Sequence, residues 1–394
     1  MKVVVAGGGP AGMMLGLLLA RAGIETLVLE KHADFLRDFR GDTLHPSTLE
    51  VLAELGMLER LLELPHDRVP EIAAQFGDYP LKIADFRHLP TRCGFIAMMP
   101  QWDFLDFLAR EAARYPQFQL RMNAEVTGLI ESEGRVAGLR FSDEKAEADL
   151  VIAADGRNST VRRSAGLEVE TLGAPIDVLW FRLSRHPDDP QSSMGRFDTG
   201  AALVLINRRA YWQCGYVIPK GAADSVRGAG LPAFRATLAR LLPWVAPRVA
   251  EIADWEQVKL LTVQIDRLKQ WWRPGLLCIG DAAHAMSPVG GVGINLAIQD
   301  AVAAANILSE KDFSIQKLKK IQRRREWPVR VTQRLQILAQ DRIITRVLGS
   351  TGPLSPPLFF RWVNRFALLR RLPGRLIGMG VRPEHVATPH AASQ

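Results

Sequence analysis

The stretch KVVVAGGGPAGMMLGLLLARAGIETLVLE, residues 2–30, decides the fold. Lys2–Ala6 is a short run rich in β-branched residues, which is typical of a strand buried on both faces, and residues 10–22 favour a helix because they are rich in Ala, Leu and Met. Residues 26–30 form a second strand of the same kind. Strand, glycine turn, helix and strand within about thirty residues predict a βαβ unit with a right-handed crossover. We therefore expect a parallel sheet from the start of the sequence.

Three glycines between the first strand and the helix form a G-x-G-x-x-G pattern. Gly7 permits a tight turn, Gly9 lets the backbone approach a pyrophosphate, and Gly12 lets the helix pack closely on the sheet. The helix N-terminus offers free N–H groups and a positive dipole end to the anion. Glu30 ends the second strand, where a carboxylate accepts ribose hydroxyls and repels a 2′-phosphate, so NADP is disfavoured there. The pattern predicts a dinucleotide site but does not separate FAD from NAD.

Farther along, the chain changes character twice. Residues 149–154 and 276–279 are again buried strands, and Gly293–Leu308 has the composition and length of a long helix. Over residues 168–268, β-branched and aromatic runs alternate with Pro, Asp and Gly turns, which predicts a second domain built on an antiparallel sheet. Other predicted elements are helices over residues 46–63 and 101–115, a hairpin over residues 124–141, and helices after Phe313 that break at Pro328, Pro353 and Pro356-Pro357.

Two later motifs narrow the interpretation. Asp155-Gly156-Arg157-Asn158-Ser159-Thr160-Val161-Arg162 and Gly280-Asp281-Ala282-Ala283-His284 each follow a buried strand. With the glycine pattern, and in this order, they resemble the group A FAD-dependent monooxygenases, the family of 4-hydroxybenzoate hydroxylase and the ubiquinone-biosynthesis hydroxylases. The resemblance covers about residues 1–310.

The resemblance implies an α/β fold in three parts. A Rossmann-type FAD-binding domain would comprise residues 1–72, 95–167 and 268–310. A β-sheet substrate domain would comprise residues 73–94 and 168–267, and a basic helical C-terminal segment would comprise residues 311–394.

Carried onto this sequence, the resemblance also implies roles for single residues. Glu30 holds the adenosine ribose, and Asp281 hydrogen-bonds the ribityl and pyrophosphate region of FAD. Asp155, with Arg162, links the FAD site to a groove for reduced nicotinamide. Arg40 matches the arginine that reaches the pyrophosphate. The full set of expected cofactor-binding residues is Gly7, Gly9, Gly12, Glu30, Arg40, Gln101, Asp155, Arg162, Gly280, Asp281, Pro288, Gly291, Gly293 and Asn295.

Pro288 and residues 290–295 would border the isoalloxazine ring. Many relatives have Gly-Gln-Gly in this turn, whereas this chain has Gly291-Val292-Gly293, which removes a polar side chain but leaves the backbone N–H groups. A helix that starts near Gly293 would point its positive end at the flavin N1 and C2 carbonyl, where negative charge gathers on reduction.

The resemblance implies a reaction in which NAD(P)H and O2 are co-substrates and a flavin C4a-hydroperoxide hydroxylates an aromatic or quinol-like small molecule. This chemistry requires no nucleophile and no metal, so we assign neither. His284 lies among Ala282, Ala283, Ala285 and Met286, which favours a packed turn over a catalytic base.

The substrate would lie between the second sheet and the flavin. Trp180 and Arg182 share one strand face by their spacing, and Trp212 and Tyr216 share another. Sequence does not decide whether either face lines the pocket, and burial in the sheet core is the simpler interpretation for all four.

Other classes of protein fit the motifs less well. Halogenases of this fold carry a W-x-W-x-I-P motif that Trp271-Trp272-Arg273-Pro274 does not match, and disulfide reductases need a redox CxxC and a second nucleotide fingerprint. A reductase or a halogenase of the same fold and a non-enzymatic flavin-binding protein remain as alternatives.

Composition adds a further constraint. The 394 residues carry a net charge of +8, but the part from Glu310 onward has 17 Lys and Arg against 5 Asp and Glu, so the rest is mildly acidic. Three cysteines without metal or CxxC spacing favour a reducing compartment, and we expect a cytoplasmic protein. We find neither a signal peptide nor an uninterrupted apolar run long enough to span a bilayer.

The basic C-terminal part has two interpretations. Residues 358–372 are apolar with interspersed arginines, a pattern that suits a helix packed on the catalytic domains and also suits peripheral contact with an anionic membrane. Nucleic-acid binding is disfavoured because no recognised module is present.

Overall fold

The computed structural model describes residues 1–36 and 42–390 of the chain. Within them the α-helices are α1 Pro10–Arg21, α2 Pro46–Glu54, α3 Leu58–Leu62, α4 Gln101–Ala112, α5 Thr160–Ser164, α6 Ala223–Gly228, α7 Leu231–Leu241, α8 Gly293–Leu308, α9 Ile315–Ala339, α10 Thr345–Leu348, α11 Leu358–Arg365 and α12 Arg371–Met379.

The strands of the same residues are β1 Lys2–Ala6, β2 Glu25–Leu29, β3 Thr43–Leu44, β4 Asp67–Val69, β5 Glu71–Phe76, β6 Tyr79–Asp85, β7 Ile96–Met98, β8 Phe118–Arg121, β9 Val126–Ser132, β10 Arg135–Phe141, β11 Glu144–Glu147, β12 Leu150–Ala153, β13 Val169–Thr171, β14 Ile176–Ser184, β15 Met194–Asp198, β16 Ala201–Asn207, β17 Tyr211–Pro219, β18 Lys259–Leu261, β19 Asp266–Leu268, β20 Trp272–Arg273, β21 Leu276–Cys278 and β22 His284–Ala285.

The first layer is a six-stranded sheet in the order β20-β21-β12-β1-β2-β8, in which only the short edge strand β20 is antiparallel. Val3, Val4 and Val5 of the central strand are fully buried. The helices α1 and α8 contact each other, and both contribute to the core cluster that contains these valines. The βαβ unit and the α/β fold class predicted from residues 2–30 are therefore confirmed.

The second layer is a seven-stranded sheet in the order β18-β14-β17-β16-β15-β5-β6. Its strands come from residues 71–85, 176–219 and 259–261. One face, which we call the outer face, packs Leu179, Phe181 and Leu203 against α7. The opposite, inner face carries Val178, Ala202 and Phe76 in a separate cluster that includes Val289 from the first layer. The inner face is thus covered in part by Val289, which precedes α8, and in part by Ile344 and Val347 of the C-terminal region.

Two predicted helices differ from the structure. The segment 46–63 is two helices, α2 and α3, because Gly56 between them adopts a left-handed φ of 67° that ends the first one. Pro328 lies inside α9 and does not break it. The long helix continues through the proline because Arg325, Val329 and Gln333 on the same side are buried against the body of the protein.

The hairpin predicted over residues 124–141 is present as β9 and β10, which pair antiparallel. Its turn at Glu133 and Gly134 has positive φ at both residues, 51° and 75°, as a tight hairpin turn requires. A small three-stranded sheet, β13-β19-β22, joins the two large layers.

Among the described residues, one segment is long and apolar enough to cross a membrane, Val289–Leu308, which includes α8. Of the residues in its apolar 18-residue stretch, 78% are buried inside the fold, where α8 packs on α1. The segment is therefore accounted for as the central helix of the first layer.

Candidate active site

The strands of the first layer bring the sequence motifs to one edge of the sheet. Gly7 follows β1, Glu30 follows β2, Asp155 follows β12 and Asp281 follows β21, and these four strands are parallel neighbours. The carboxyl ends of parallel strands meet at the same edge, which is where ligands bind in open α/β sheets. Residues that are up to 274 positions apart in sequence thus surround one crevice.

Each of the three glycines of the first motif serves a different structural purpose. Gly7 has a φ of 101°, and a Cβ there would lie 2.3 Å from the Ala154 carbonyl oxygen. A Cβ on Gly12 would lie 2.0 Å from the Gly7 carbonyl oxygen. A Cβ on Gly9 would meet no atom of residues 1–36 and 42–390 within 4 Å, so these residues leave the space beside Gly9 open. The first and third glycines therefore allow close packing, whereas the second faces room for a ligand.

Open hydrogen-bond donors adjoin that space. No side chain caps α1, its first turn has no acidic residue, and Pro10 lies at its start. Such a helix end attracts an anion through unpaired N–H groups and the helix dipole. At the end of β2, Glu30 is largely buried, and its Oε2 accepts the Gly8 N–H at 3.0 Å. The carboxylate is thereby fixed next to the glycine turn, as ribose binding requires.

Asp155 and Arg162 belong to one compact turn. The Asp155 Oδ2 accepts the Val161 N–H at 3.1 Å, and its buried Oδ1 has no donor among residues 1–36 and 42–390. Burial raises the pKa of the Asp155 carboxyl. Arg162 is buried, and its guanidinium contacts both carboxylate oxygens of Asp266 at 3.3 to 3.4 Å. At the end of β12 the Asp155 carboxylate thus keeps spare acceptor capacity, whereas the buried Arg162 holds the turn through Asp266.

The second acidic motif is more open. The Asp281 side chain is about one third exposed and lies 3.4 Å from Arg157 Nη2, which connects the two motifs across the crevice. Behind it, Asp300 of α8 accepts the Gly280 N–H at 3.0 Å and lies 2.6 Å from His284 Nε2. His284 is 1% exposed, and its ring centroid lies 5.0 Å from that of Trp271 with the planes tilted by 40°, so it packs within the turn and is shielded from a substrate.

The loop that contains Pro288, residues 286–292, is held from the first layer. The Thr43 hydroxyl donates to the Gly291 carbonyl at 2.7 Å, and Gly291 has a φ of 63°. The Asn295 Oδ1 accepts the His45 N–H at 3.0 Å and the Thr48 hydroxyl at 2.6 Å. No side chain caps α8, which starts at Gly293. The Pro288 loop therefore presents an uncapped helix end in a fixed orientation.

The C-terminal helix α9 holds the same loop from the opposite side. The Gln336 Nε2 donates to the carbonyl oxygens of Ser287 and Val289 at 2.9 and 2.8 Å, and its Oε1 accepts the Ser287 N–H at 3.2 Å. Gln333 donates to the carbonyl oxygens of Asp266 and Ala285. These buried amides satisfy backbone groups that a loop would otherwise leave unpaired.

Gln101, half-buried, opens α4 next to Asp42, whose carboxylate accepts the Gln101 backbone N–H. Arg40, the expected pyrophosphate arginine, lies outside the described residues. The remaining predicted cofactor residues, Gly7, Gly9, Gly12, Glu30, Asp155, Gly280, Asp281, Pro288, Gly291, Gly293 and Asn295, all lie at the carboxyl edge of the sheet or in the Pro288 loop and the first turn of α8.

Sequence reasoning missed several residues that join the two layers. Asp42 contacts Arg208 and accepts the Gln213 Nε2–H at 3.2 Å, and both partners belong to the substrate sheet or its connecting turn. Burial, partly offset by Arg208 and Gln213, raises the pKa of Asp42 to about 6. The signal was only that Asp42 follows Arg40-Gly41, because its partners are more than 160 positions away.

The inner face of the second sheet provides an apolar floor. Trp180, Gly215, Val204, Gly195 and Ala74 are register partners across five strands. Val204 is 40% exposed although β16 lies inside the sheet, and the Trp180 ring lies within about 3.0 Å of where a Gly215 Cβ would be. Two glycines and an open valine leave a flat space above the sheet.

The structure shows that Trp180 and Trp212 lie on opposite faces of the second sheet. Trp180 and Arg182 lie on the inner face, toward the Pro288 loop. Trp212 is fully buried on the outer face and lies 5.6 Å from the Trp244 ring, and Tyr216 packs on Phe234. Core burial is therefore correct for Trp212, and Tyr216 is partly buried in the same cluster, whereas the expectation is wrong for Arg182, which is exposed, and Trp180 borders the floor.

The fold and this crevice define a flavoprotein that binds FAD on a Rossmann-type sheet. Residues 1–311 match the family described as "FAD binding domain", and the chain belongs to this family of group A flavin monooxygenases. It is an FAD-dependent oxidoreductase. The expected resemblance and the assignment as an enzyme are confirmed by the family and by the relatives that the chain matches.

Relatives agree with this class. The chain is 30% identical over 382 residues to 6-methylpretetramide 4-monooxygenase from Streptomyces rimosus, a match that covers 94% of this chain and 91% of that protein. It is 25% identical to 3-demethoxyubiquinol 3-hydroxylase from Escherichia coli (strain K12), over 78% of this chain and 79% of that protein. The solved structure of 2-methyl-3-hydroxypyridine-5-carboxylic acid oxygenase has the same fold, with a TM-score of 0.74 at 22% identity, over 88% of this chain and 92% of that one.

Proposed function

We propose that this protein is an NAD(P)H-dependent monooxygenase that hydroxylates an aromatic or quinol-like molecule held between the Pro288 loop and the inner face of the second sheet. The observation that carries the proposal is the position of the apolar floor formed by Trp180, Gly215, Val204, Gly195 and Ala74, which we call the Val204 floor. Val289 of the loop packs in the same cluster as Trp180 beside that floor, so the open space adjoins the place where the flavin ring would lie.

The residues fit FAD. Open space beside Gly9, a buried Asp155 oxygen without a donor among the described residues, and two uncapped helix ends suit a long anionic cofactor. FAD, when bound and reduced, supplies the activation of O2. The chain itself would contribute orientation and charge stabilisation. The start of α8 would place N–H groups beside the flavin, and the hydrogen bond between Thr43 and Gly291 would keep them aimed.

The inner face would hold the substrate with few polar contacts. Val204, the Trp180 ring and the glycines offer area for a flat apolar ring system, and this surface would exclude water from the reacting atoms. The names of the relatives, a 6-methylpretetramide monooxygenase and a demethoxyubiquinol hydroxylase, support an aromatic or quinol-like substrate.

We also propose a cytoplasmic location. Cys93, Cys214 and Cys278 are buried free thiols, and burial raises the pKa of each. Thiols of this kind suit a reducing compartment.

The experiment is a screen of aromatic and quinol substrates against the purified holoenzyme. We expect a yellow protein whose NAD(P)H oxidation rises with a matching substrate, with O2 consumed in equal amount and little peroxide released. Colourless protein that does not take up FAD would overturn the assignment of the site. Halide-dependent products that require a separate flavin reductase would favour a halogenase, and flavin without any substrate-stimulated oxidation would favour a binding protein.

Variants of the two carboxylates test the cofactor site directly. We expect Glu30→Ala and Asp281→Ala each to lower FAD retention, by roughly tenfold if one charge-assisted hydrogen bond to the cofactor is lost. Glu25→Ala is the matched control, because Glu25 begins the strand that Glu30 follows, faces solvent and pairs loosely with Lys2 at 3.9 Å. Equal FAD content in all three proteins would refute both assigned roles.

A further inference from the structure

The C-terminal segment 358–379 exposes an unusual amount of apolar side chain. It consists of α11, a short turn at Ala367–Arg370 and α12. Its large apolar side chains are 38% to 74% exposed: Leu358, Phe359, Trp362, Phe366, Leu368, Leu369, Leu372 and Leu376. Single exposed leucines are ordinary, but eight within one short segment mark a surface that contacts something.

The side of this segment that faces the rest of the protein is closely packed. A Cβ on Gly374 would lie 2.1 Å from the Asp85 carbonyl oxygen, and a Cβ on Gly378 would lie 2.8 Å from Leu89. The Asn364 Oδ1 accepts the Lys82 N–H at 2.9 Å. Both helices lie against the edge strand β6, with Gly374, Gly378, Val363 and Met379 buried.

The large apolar residues of a surface helix usually face the core, but in this segment the eight named above face outward while Val363 and Met379 are buried. If α12 turned to bury Leu372 and Leu376, larger residues would replace Gly374 and Gly378 where the helix lies against Asp85 and Leu89, and they would not fit. The outward direction of the leucines is thus fixed by the packing of the glycines.

Charge indicates what this surface contacts. Residues 342–383 contain eight arginines and no lysine, aspartate or glutamate. Arg361, Arg365, Arg371 and Arg375 are exposed among the apolar residues, and none of the four forms an ion pair with a carboxylate of the described residues. The segment is therefore both apolar and strongly positive.

We propose that segment 358–379 binds the surface of an anionic lipid bilayer. The leucines and aromatic rings would enter the boundary between headgroups and acyl chains, and the arginines would contact lipid phosphates. Trp362 and Phe366, whose rings stack at 5.5 Å, are residues that favour this boundary.

A second copy of the chain is a poorer occupant. In a two-fold symmetric dimer the same patch would face itself, so the arginines of one copy would meet those of the other without a carboxylate between them. An anionic bilayer neutralises the arginines and buries the apolar side chains together.

The position of the segment gives membrane binding a consequence. Both helices pack against β6, which is an edge strand of the sheet that contains the Val204 floor. Bound to a bilayer, the protein would hold its substrate sheet beside the lipid, where apolar aromatic molecules concentrate. The membrane contact itself does not depend on the proposed reaction.

The test is co-sedimentation of the full-length holoenzyme with vesicles of phosphatidylcholine alone and of phosphatidylcholine with phosphatidylglycerol. We expect binding only to the anionic vesicles, and weaker binding as salt is raised. Arg361→Gln with Arg365→Gln should lower the partition coefficient by roughly twentyfold, since each arginine near an anionic surface contributes about fivefold. Phe359→Ser with Trp362→Ser should abolish binding.

Trp327→Ser provides the matched control, because Trp327 is 55% exposed on α9 and Trp362 is 59% exposed in the segment. It should bind vesicles as the unchanged protein does. Flavin content and thermal unfolding verify that each variant is folded, and oxidation of a water-soluble substrate should be unchanged in all of them.

Three outcomes would overturn the proposal. They are no binding of the unchanged protein to anionic vesicles, equal loss in Trp327→Ser, and a dimer in solution that dissociates in the Phe359→Ser/Trp362→Ser protein without any vesicle binding. Because the readout is vesicle binding, failure here leaves the proposed hydroxylation untouched, and failure to oxidise any substrate leaves the membrane proposal untouched.

Discussion

Arg325 of the C-terminal helix α9 forms a fully buried ion pair with Asp300 of α8, with 2.9 Å between Nε and Oδ1. The other oxygen of Asp300 accepts the Gly280 N–H and contacts His284. Although burial opposes ionisation, His284 and Arg325 together hold the pKa of Asp300 below its usual value. The basic C-terminal part is therefore connected through one carboxylate to the motif that carries Asp281.

The first prediction follows from this pair. Arg325→Met should lower the free energy of unfolding by about 3 to 5 kcal/mol, because it leaves the Asp300 charge buried with one partner fewer. It should also release flavin at lower temperature. Arg330→Met is the control, since Arg330 lies on the same helix, its side chain is 48% exposed, and it pairs with Glu326 at the surface. A loss of less than about 1 kcal/mol is expected there. Urea unfolding and flavin fluorescence measure both, and equal losses in the two variants would contradict the assignment.

The second prediction separates two glycines of one motif. Gly12→Ala should fail to fold stably because its Cβ would lie 2.0 Å from a backbone oxygen, whereas Gly9→Ala should fold normally because its Cβ meets no atom of the described part of the chain within 4 Å. Gly9→Ala should nevertheless lose FAD, since the methyl group would occupy the space of the pyrophosphate. Circular dichroism and FAD titration distinguish the cases. A Gly9→Ala protein that retains FAD with unchanged affinity would place the cofactor elsewhere.

The sequence predicted the local part of this architecture and missed the long-range part. Lys2–Ala6 and Gly293–Leu308 were predicted with their observed bounds, because a buried strand and a helix each depend on the types of residues that are adjacent in sequence. The break expected at Pro328 was wrong, because the buried contacts of Arg325 and Gln333 with distant residues outweigh a missing helix hydrogen bond.

The same distinction applies to the site. Motif glycines and acids were identifiable because their spacing is short and their chemistry specific. Gln336 was not, since an amide in an arginine-rich helix gives no sign that it holds the backbone of Ser287 and Val289. The exposure of Leu372 and Leu376 was equally hidden, because it depends on where Gly374 and Gly378 pack.

The third prediction tests the substrate floor. Val204→Phe should lower kcat/KM for the substrate by at least about tenfold, since added bulk would fill the open space, while FAD content stays unchanged. Leu260→Phe is the control, because Leu260 and Val204 are both 40% exposed in the same sheet, and Leu260 pairs with Leu179 on the outer face. Steady-state kinetics and flavin absorbance decide the matter. Equal kinetics for the two variants would show that the substrate does not lie on the inner face.

The fourth prediction concerns pH. His45 is fully buried, its Nδ1 lies 2.8 Å from the Ile377 carbonyl oxygen, and burial lowers its pKa to about 4 from 6.5. Between these pH values the unfolded chain binds a proton at His45 and the folded protein does not, so stability falls as pH drops through this window and changes little more below it. The shift corresponds to about 3 kcal/mol.

His45→Asn should remove this component of the pH dependence. Asp42, whose pKa burial raises to about 6, shifts stability in the opposite direction over much of the same window. It does so in both proteins, so the difference between them isolates His45. Urea unfolding of both proteins at several pH values from 6.5 to 4 measures that difference. Protonation would put an N–H without an acceptor among the described residues on the buried Nε2, and because the ring lies against Ile377 of α12, relief of this cost should open segment 358–379, which hydrogen exchange of its amides would detect. Parallel stability curves for the two proteins would show that His45 is already accessible to protons in the folded state.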